Sequence, residues 1–164
     1  MGDYTDLTMH PLRNGCKAYE ELAGAARDLG LEVTLGRAVL LLCAAIAWEH
    51  VKPLDAEEGA DHPPPVDRSA DELCTEIAAR LNILQYVPGG TRYRVLKYLR
   101  HTLAHASMVT FPDDNGQIEG LVLKNYAMSD QKREKEPTWV VELRAEDIGQ
   151  LIAAFRRYAG RSPD

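Results

Sequence analysis

Thr91-Arg-Tyr-Arg-Val-Leu-Lys-Tyr-Leu-Arg-His-Thr-Leu-Ala-His105, with the run that follows it to Tyr126, decides how this chain is read. In the first part Val95, Leu96, Leu99 and Leu103 recur at three- and four-residue spacing, the period of one helix face. From Met108 the period changes. Met108 to Phe111 and Gln117 to Tyr126 flank Pro112-Asp-Asp-Asn-Gly116, and Asn-Gly between such runs is a strong short-range hairpin signal. The spacing therefore predicts a helix from Arg92 to about Ser107, capped by Thr91, that runs into an antiparallel hairpin.

Upstream, Leu12, Cys16, Tyr19, Leu22, Ala23 and Ala26 predict a helix from about Pro11 to Leu29, stopped by Gly30, with Met1 to Thr8 as a mobile lead-in. A second helix is expected from Thr34 to Val51, ended by Pro53 and so apolar that most of its sides must be buried. Lys52 to Arg68 is acidic and rich in proline, and reads as an exposed loop within one domain. Ser69-Ala-Asp-Glu72 has capping-box spacing and opens a third helix to about Tyr86, with Leu73, Ile77, Leu81 and Leu84 on one face. Val87-Pro-Gly-Gly90 reads as a turn. Beyond the hairpin, Met128 to Pro137 reads as a polar loop, Thr138 to Leu143 as a third strand, and Ala145 to Tyr158 as a last amphipathic helix. The expected fold is mainly α: a four- to five-helix up-and-down bundle with a small antiparallel hairpin or three-strand insertion before the last helix.

The 164 residues suit one domain with a real core. A composition 45% hydrophobic and 27% charged is that of a soluble globular protein, and only 7% aromatic favours helix over sheet. The net charge of -6 argues against coating nucleic acid by bulk electrostatics, but leaves room for a local basic site. Cys16, Cys43 and Cys74 are odd in number and far apart, which points to reduced thiols and a cytoplasmic setting. No short Cys-x-x-Cys pair marks a zinc site. The N-terminus is too polar for a signal peptide. The longest apolar run, Ala38 to Trp48, is too short for a membrane span and reads as a buried core helix.

Chemistry concentrates on the fourth helix. Arg92, Arg94, Lys97 and Arg100 make it basic without an acidic interruption, and Tyr93 and Tyr98 are interleaved. Such a face suits phosphate contacts with bases stacked on the rings, which makes Arg92, Arg94, Lys97 and Tyr98 candidate RNA-binding residues. It would equally serve as a solvated face answering the acidic stretch from Asp55 to Glu72. Near its end stand Arg100, His101 and His105. His101 and His105 lie one turn apart on one face, and Arg100 projects from the neighbouring stripe. A permanent cation beside groups that titrate near neutrality suits phosphodiester cleavage: the Arg neutralises charge on phosphorus and the His moves protons. His-x3-His can also hold a transition metal, although Thr102 rules out the metalloprotease pattern, and further ligands would have to come from Glu49, His50 or Cys74.

Arg-x4-His with a polar residue after the Arg, here Arg100, His101 and His105, resembles the active-site motif of the HEPN superfamily. The hairpin and helix from Ser107 to Tyr158 are similar to the tail of several HEPN subfamilies. The likeness runs from about Thr91 to Gly160. It implies a helical bundle and a metal-independent endoribonuclease without a cofactor. It also implies a homodimer whose two Arg/His motifs face one cleft, with RNA as substrate. A toxin or defence setting with a nucleotidyltransferase-like antitoxin follows from the same likeness. The other readings are a HEPN-like module that binds nucleotide or protein without catalysis, and a metal-binding bundle built on His101 and His105.

Overall fold

A computed structural model describes residues 4–57, 67–86, 91–105, 107–127 and 132–161. Five helices and four strands follow in the order α1 (Tyr4–Asp28), α2 (Glu32–Glu57), α3 (Arg68–Arg80), β1 (Asn82–Tyr86), α4 (Arg94–Ala104), β2 (Met108–Pro112), β3 (Ile118–Asn125), β4 (Trp139–Arg144) and α5 (Ala145–Arg161). The fold is mainly α, a five-helix bundle with an antiparallel sheet, as the periodicities predict. The sheet is larger than expected, with four strands in the order β1-β4-β3-β2.

Helix α2 is the centre. It packs on α1, α4 and α5, burying Leu40, Cys43, Ala44, Ala47 and Val51 completely. Its segment Glu32–Asp55 is long and apolar enough to cross a membrane by length and composition, but here it is the core helix of the bundle. Helix α5 lies across α1, α2 and α3 and carries Ile148, Leu151, Ile152 and Phe155 into the same apolar core as Trp139 and Leu143 of β4. That core joins the helices to the sheet.

Several helix boundaries depart from the sequence reading. Helix α1 already begins at Tyr4, inside the expected lead-in, with Pro11 within it. Helix α2 runs through Pro53 to Glu57. Each proline removes one backbone donor but lies exposed, while Met9 and Leu12, and Val51, hold the opposite faces in the core. The expected loop from Lys52 to Arg68 is thus helical at both ends, and its middle, 58–66, lies outside the described residues, as does the turn 87–90. Helix α3 is capped by Asp67, whose Oδ1 accepts the Ala70 N–H at 3.0 Å, and Ser69 is already inside it.

The largest departure is at the end of α3. The stripe Leu73, Ile77, Leu81, Leu84 predicts helix to Tyr86, but the chain turns extended at Leu81, and Asn82–Tyr86 pairs with β4 as an edge strand. Leu81 is the last buried member of the stripe, and Leu84 is 56% exposed. Its three-residue offset from Leu81 imitates a helix face that is not there. Pairing with Trp139–Glu142 gives these backbone groups the hydrogen bonds that a further helical turn would otherwise have made.

The hairpin follows the expectation. Asp113 Oδ1 accepts the N–H groups of Asn115 and Gln117, and Gly116 takes φ +80°, where a side chain would be strained. Helix α4 is shorter than predicted. Thr91 accepts the Tyr93 N–H at 3.2 Å, but the helix begins at Arg94 and ends at Ala104. Ser107 is buried and ties the exit to β3, its carbonyl accepting the Lys124 N–H at 2.8 Å.

Candidate active site on helix α4

The charge of α4 is divided between its two ends. At the N-terminal end Arg92 Nε meets Asp71 at 3.2 Å and Arg94 Nε meets Asp55 at 3.2 Å. Asp55 also accepts the Thr91 hydroxyl at 2.5 Å. Tyr93 is buried, donates its hydroxyl to Asp71 at 2.6 Å and lies under the Arg92 guanidinium. This half of the basic face does answer carboxylates of α2 and α3. Tyr93 is therefore part of the packing, not a free stacking surface. Tyr98 is half-buried against Trp139 of β4, with ring centroids 5.6 Å apart.

The C-terminal end differs. Among the described residues none of Lys97, Arg100, His101 and His105 makes an ion pair with a carboxylate. The imidazoles of His101 and His105 face each other with ring centroids 4.5 Å apart and planes tilted by 50°. His105 is the C-cap of α4, its N–H bonded to the His101 carbonyl at 3.0 Å, so the one-turn spacing survives although the helix proper has ended. Its ring is exposed, while His101 and Arg100 are half-buried.

The pKa of His101 is lowered from the usual imidazole value. Burial is the largest cause, followed by the charges of His105, Arg100, Lys97 and Arg133. Burial and positive neighbours both disfavour a second proton on the ring. His101 is thus held neutral near pH 7, the state of a proton acceptor, with cations at hand to stabilise an anion.

Arg133 is the residue that sequence reasoning missed. It lies in the connection between β3 and β4, over the Tyr126 ring at 5.7 Å, and near enough for its charge to act on His101. Its φ of 54° is left-handed, which costs a non-glycine residue about 1–3 kcal/mol. In the sequence it is one charge among several in a polar loop, and no local pattern sets it apart.

The fuller metal site is not assembled. Glu49 is exposed on α2, and His50 is half-buried there, its pKa lowered by burial against the opposing charge of Asp67. Cys74 is buried in α3, where burial pushes its thiol up to about 12, the reverse of what thiolate ligation needs. Among the described residues no group of three His, Cys, Asp or Glu side chains is placed to hold an ion. His10 is on helix α1, and His62 lies outside the described residues.

Cys16 and Cys43 are both buried between α1 and α2, with their sulfurs 3.5 Å apart. Neither touches the α4 site. No family model, curated protein or solved structure matches this chain.

Proposed function

We propose that this protein is a metal-independent endoribonuclease of HEPN type, with Arg100, His101 and His105 as its catalytic residues. The observation that carries the reading is the imidazole pair at 4.5 Å, one ring held neutral, beside Lys97 and Arg100, for which no carboxylate partner stands among the described residues. A structural role would pair such cations with acid, as the same helix does with Arg92 and Arg94.

In the reaction a neutral imidazole takes the proton of a ribose 2′-hydroxyl. The 2′-oxygen attacks the adjacent phosphorus, and the bond to the 5′-oxygen breaks. The other imidazole, protonated, delivers a proton to that leaving oxygen. Arg100 and Lys97 meet the charge that builds on the phosphoryl oxygens, with Arg133 adding to the field. His101 is the assigned base because its proton affinity is depressed, and exposed His105 is the acid. The products are a 2′,3′-cyclic phosphate and a free 5′-hydroxyl. DNA is not a substrate, because it lacks the attacking group.

Two copies pairing through α4 would supply a second set of these groups to one cleft. The same reading takes the protein as a cytoplasmic homodimer, a toxin or defence component restrained by an antitoxin. The test is cleavage of mixed RNA in EDTA. His105→Ala and Arg100→Ala should each lower the rate about 10²–10⁴-fold with the circular dichroism spectrum unchanged. Full activity in His105→Ala sinks the assignment. Activity that vanishes in EDTA and returns with zinc would transfer the imidazole pair to metal binding.

A further inference from the structure

Between α3, β1 and the first turns of α4 runs a groove of about 380 Å³, within the usual size range of small-ligand sites. Trp139, buried at 2% exposure, forms the floor beneath the half-buried Tyr98, and Ile83 and the half-exposed Tyr86 come from β1. Arg92 and Arg94 stand on its margin. The lining is thus aromatic and apolar at one side and cationic at the other. Arg94 reaches Asp55 through Nε and is 36% exposed, so its outer face meets solvent.

The groove and the catalytic end share one face of α4. At 100° per residue, Arg94, Tyr98, His101 and His105 fall on one stripe of α4 and its cap. Tyr98 and His105 are seven positions apart, roughly 10 Å along the axis. A strand whose phosphate lies at the imidazoles therefore meets an aromatic recess next along the same helix.

We propose that this groove seats one unpaired base of a single-stranded RNA substrate, with that nucleotide's phosphate toward the solvent-facing side of the Arg94 guanidinium, which its bond to Asp55 through Nε leaves open. The inference rests on the ribonuclease reading for its substrate, and names a part of the protein outside the reacting groups. The chemistry is that of sequence-tolerant strand binding: π-faces for the base and guanidinium groups for the backbone. Tyr86, at 48% exposure on an edge strand, is the ring with most surface to give.

Trp139 makes the test direct. The chain has two tryptophans, and Trp48→Phe leaves Trp139 as the sole tryptophan, excited selectively at wavelengths tyrosine does not absorb. A short 2′-O-methylated RNA, which cannot be cleaved through its own hydroxyl, should quench that emission saturably. Tyr86→Ala should weaken binding by about fivefold to a hundredfold, and Tyr86→Phe should restore it. No quenching, or quenching indifferent to Tyr86→Ala, overturns the groove assignment, and RNA cleavage by the wild-type protein would still stand. Binding that depends on Tyr86, in a protein that never cleaves RNA, sinks the ribonuclease reading and keeps the groove as a strand site. A mononucleotide bound as tightly as the oligonucleotide would overturn the strand in favour of a free nucleotide. Quenching that rises with protein concentration without RNA would give the groove to a second copy of the chain.

Discussion

Asp55→Ala should destabilise the protein by about 2 kcal/mol, although the residue is charged and lies within the stretch that reads as an exposed loop. Asp55 sits in the last turn of α2 with its side chain 12% exposed. It accepts the Thr91 hydroxyl at 2.5 Å and the Arg94 Nε–H at 3.2 Å, and so fixes the start of α4 to the core helix. Both bonds end on a carboxylate, and a hydrogen bond to a charged group contributes roughly 1.5–3 kcal/mol before solvent exposure is discounted. Against that, an anion at a helix C-terminus opposes the dipole by about 0.3–1 kcal/mol. Arg94 is exposed enough for water to replace part of what it loses, which sets the balance near the lower end. Asp55→Asn keeps an acceptor for Thr91 and should cost about half as much. Urea unfolding followed by circular dichroism is the assay. With a slope of about 2 kcal/mol per M, Asp55→Ala should lower the midpoint by about 1 M. Combining it with Thr91→Ala should cost less than the sum of the two, since both remove one shared bond. A change below about 0.5 kcal/mol, or strict additivity with Thr91→Ala, would refute the view that this carboxylate anchors α4.

Two further outcomes follow from the geometry. The His101 ring should titrate below about 6.5 by proton NMR, and Arg100→Ala should move its midpoint upward by removing a positive neighbour. A depressed imidazole pKa means that the unfolded chain binds the proton more readily. This residue's contribution therefore leaves stability untouched above about pH 6.5 and lowers it as pH falls through that value. A midpoint at or above 6.5 would contradict both the burial of the ring and its role as base. Separately, Gly120→Ala in β3 should destabilise by about 1–3 kcal/mol, because a Cβ there would collide with the Leu143 carbonyl and the Phe111 ring, and the carbonyl is backbone that cannot turn away. Calorimetry showing an unchanged Tm would mean that the β3–β4 contact is looser than its geometry.

The bundle was legible because its signals are local. Leu96, Leu99 and Leu103 are buried at the spacing that predicts them, as are Ile148, Leu151, Ile152 and Phe155. Asn115-Gly116 announces its own turn. What escaped was decided by distant partners. Nothing within Asn82–Tyr86 says strand, because the pairing is supplied by Trp139–Glu142, far along the chain. The prolines at 11 and 53 stop helices by rule, yet both lie on exposed faces whose reverse sides are anchored. At the candidate site, the placement of His101 beside His105 follows from helical period alone. The pairing of Arg92 and Arg94 with Asp71 and Asp55, and the approach of Arg133, depend on how separate elements pack, which no spacing along α4 encodes.

Helix α5 has a consequence for the order of events during synthesis. It is the last element of the fold and the one laid across α1, α2 and α3. Until it emerges, those three helices have no common partner. At roughly 5–20 residues per second, the stretch from the end of α3 to the end of α5 takes on the order of 4–16 s to make. For that interval the nascent chain carries the apolar faces that Leu151, Ile152 and Phe155 will later cover. Early release short of α5 would leave those faces open to water, and the product would be a substrate for chaperones rather than a smaller version of the protein.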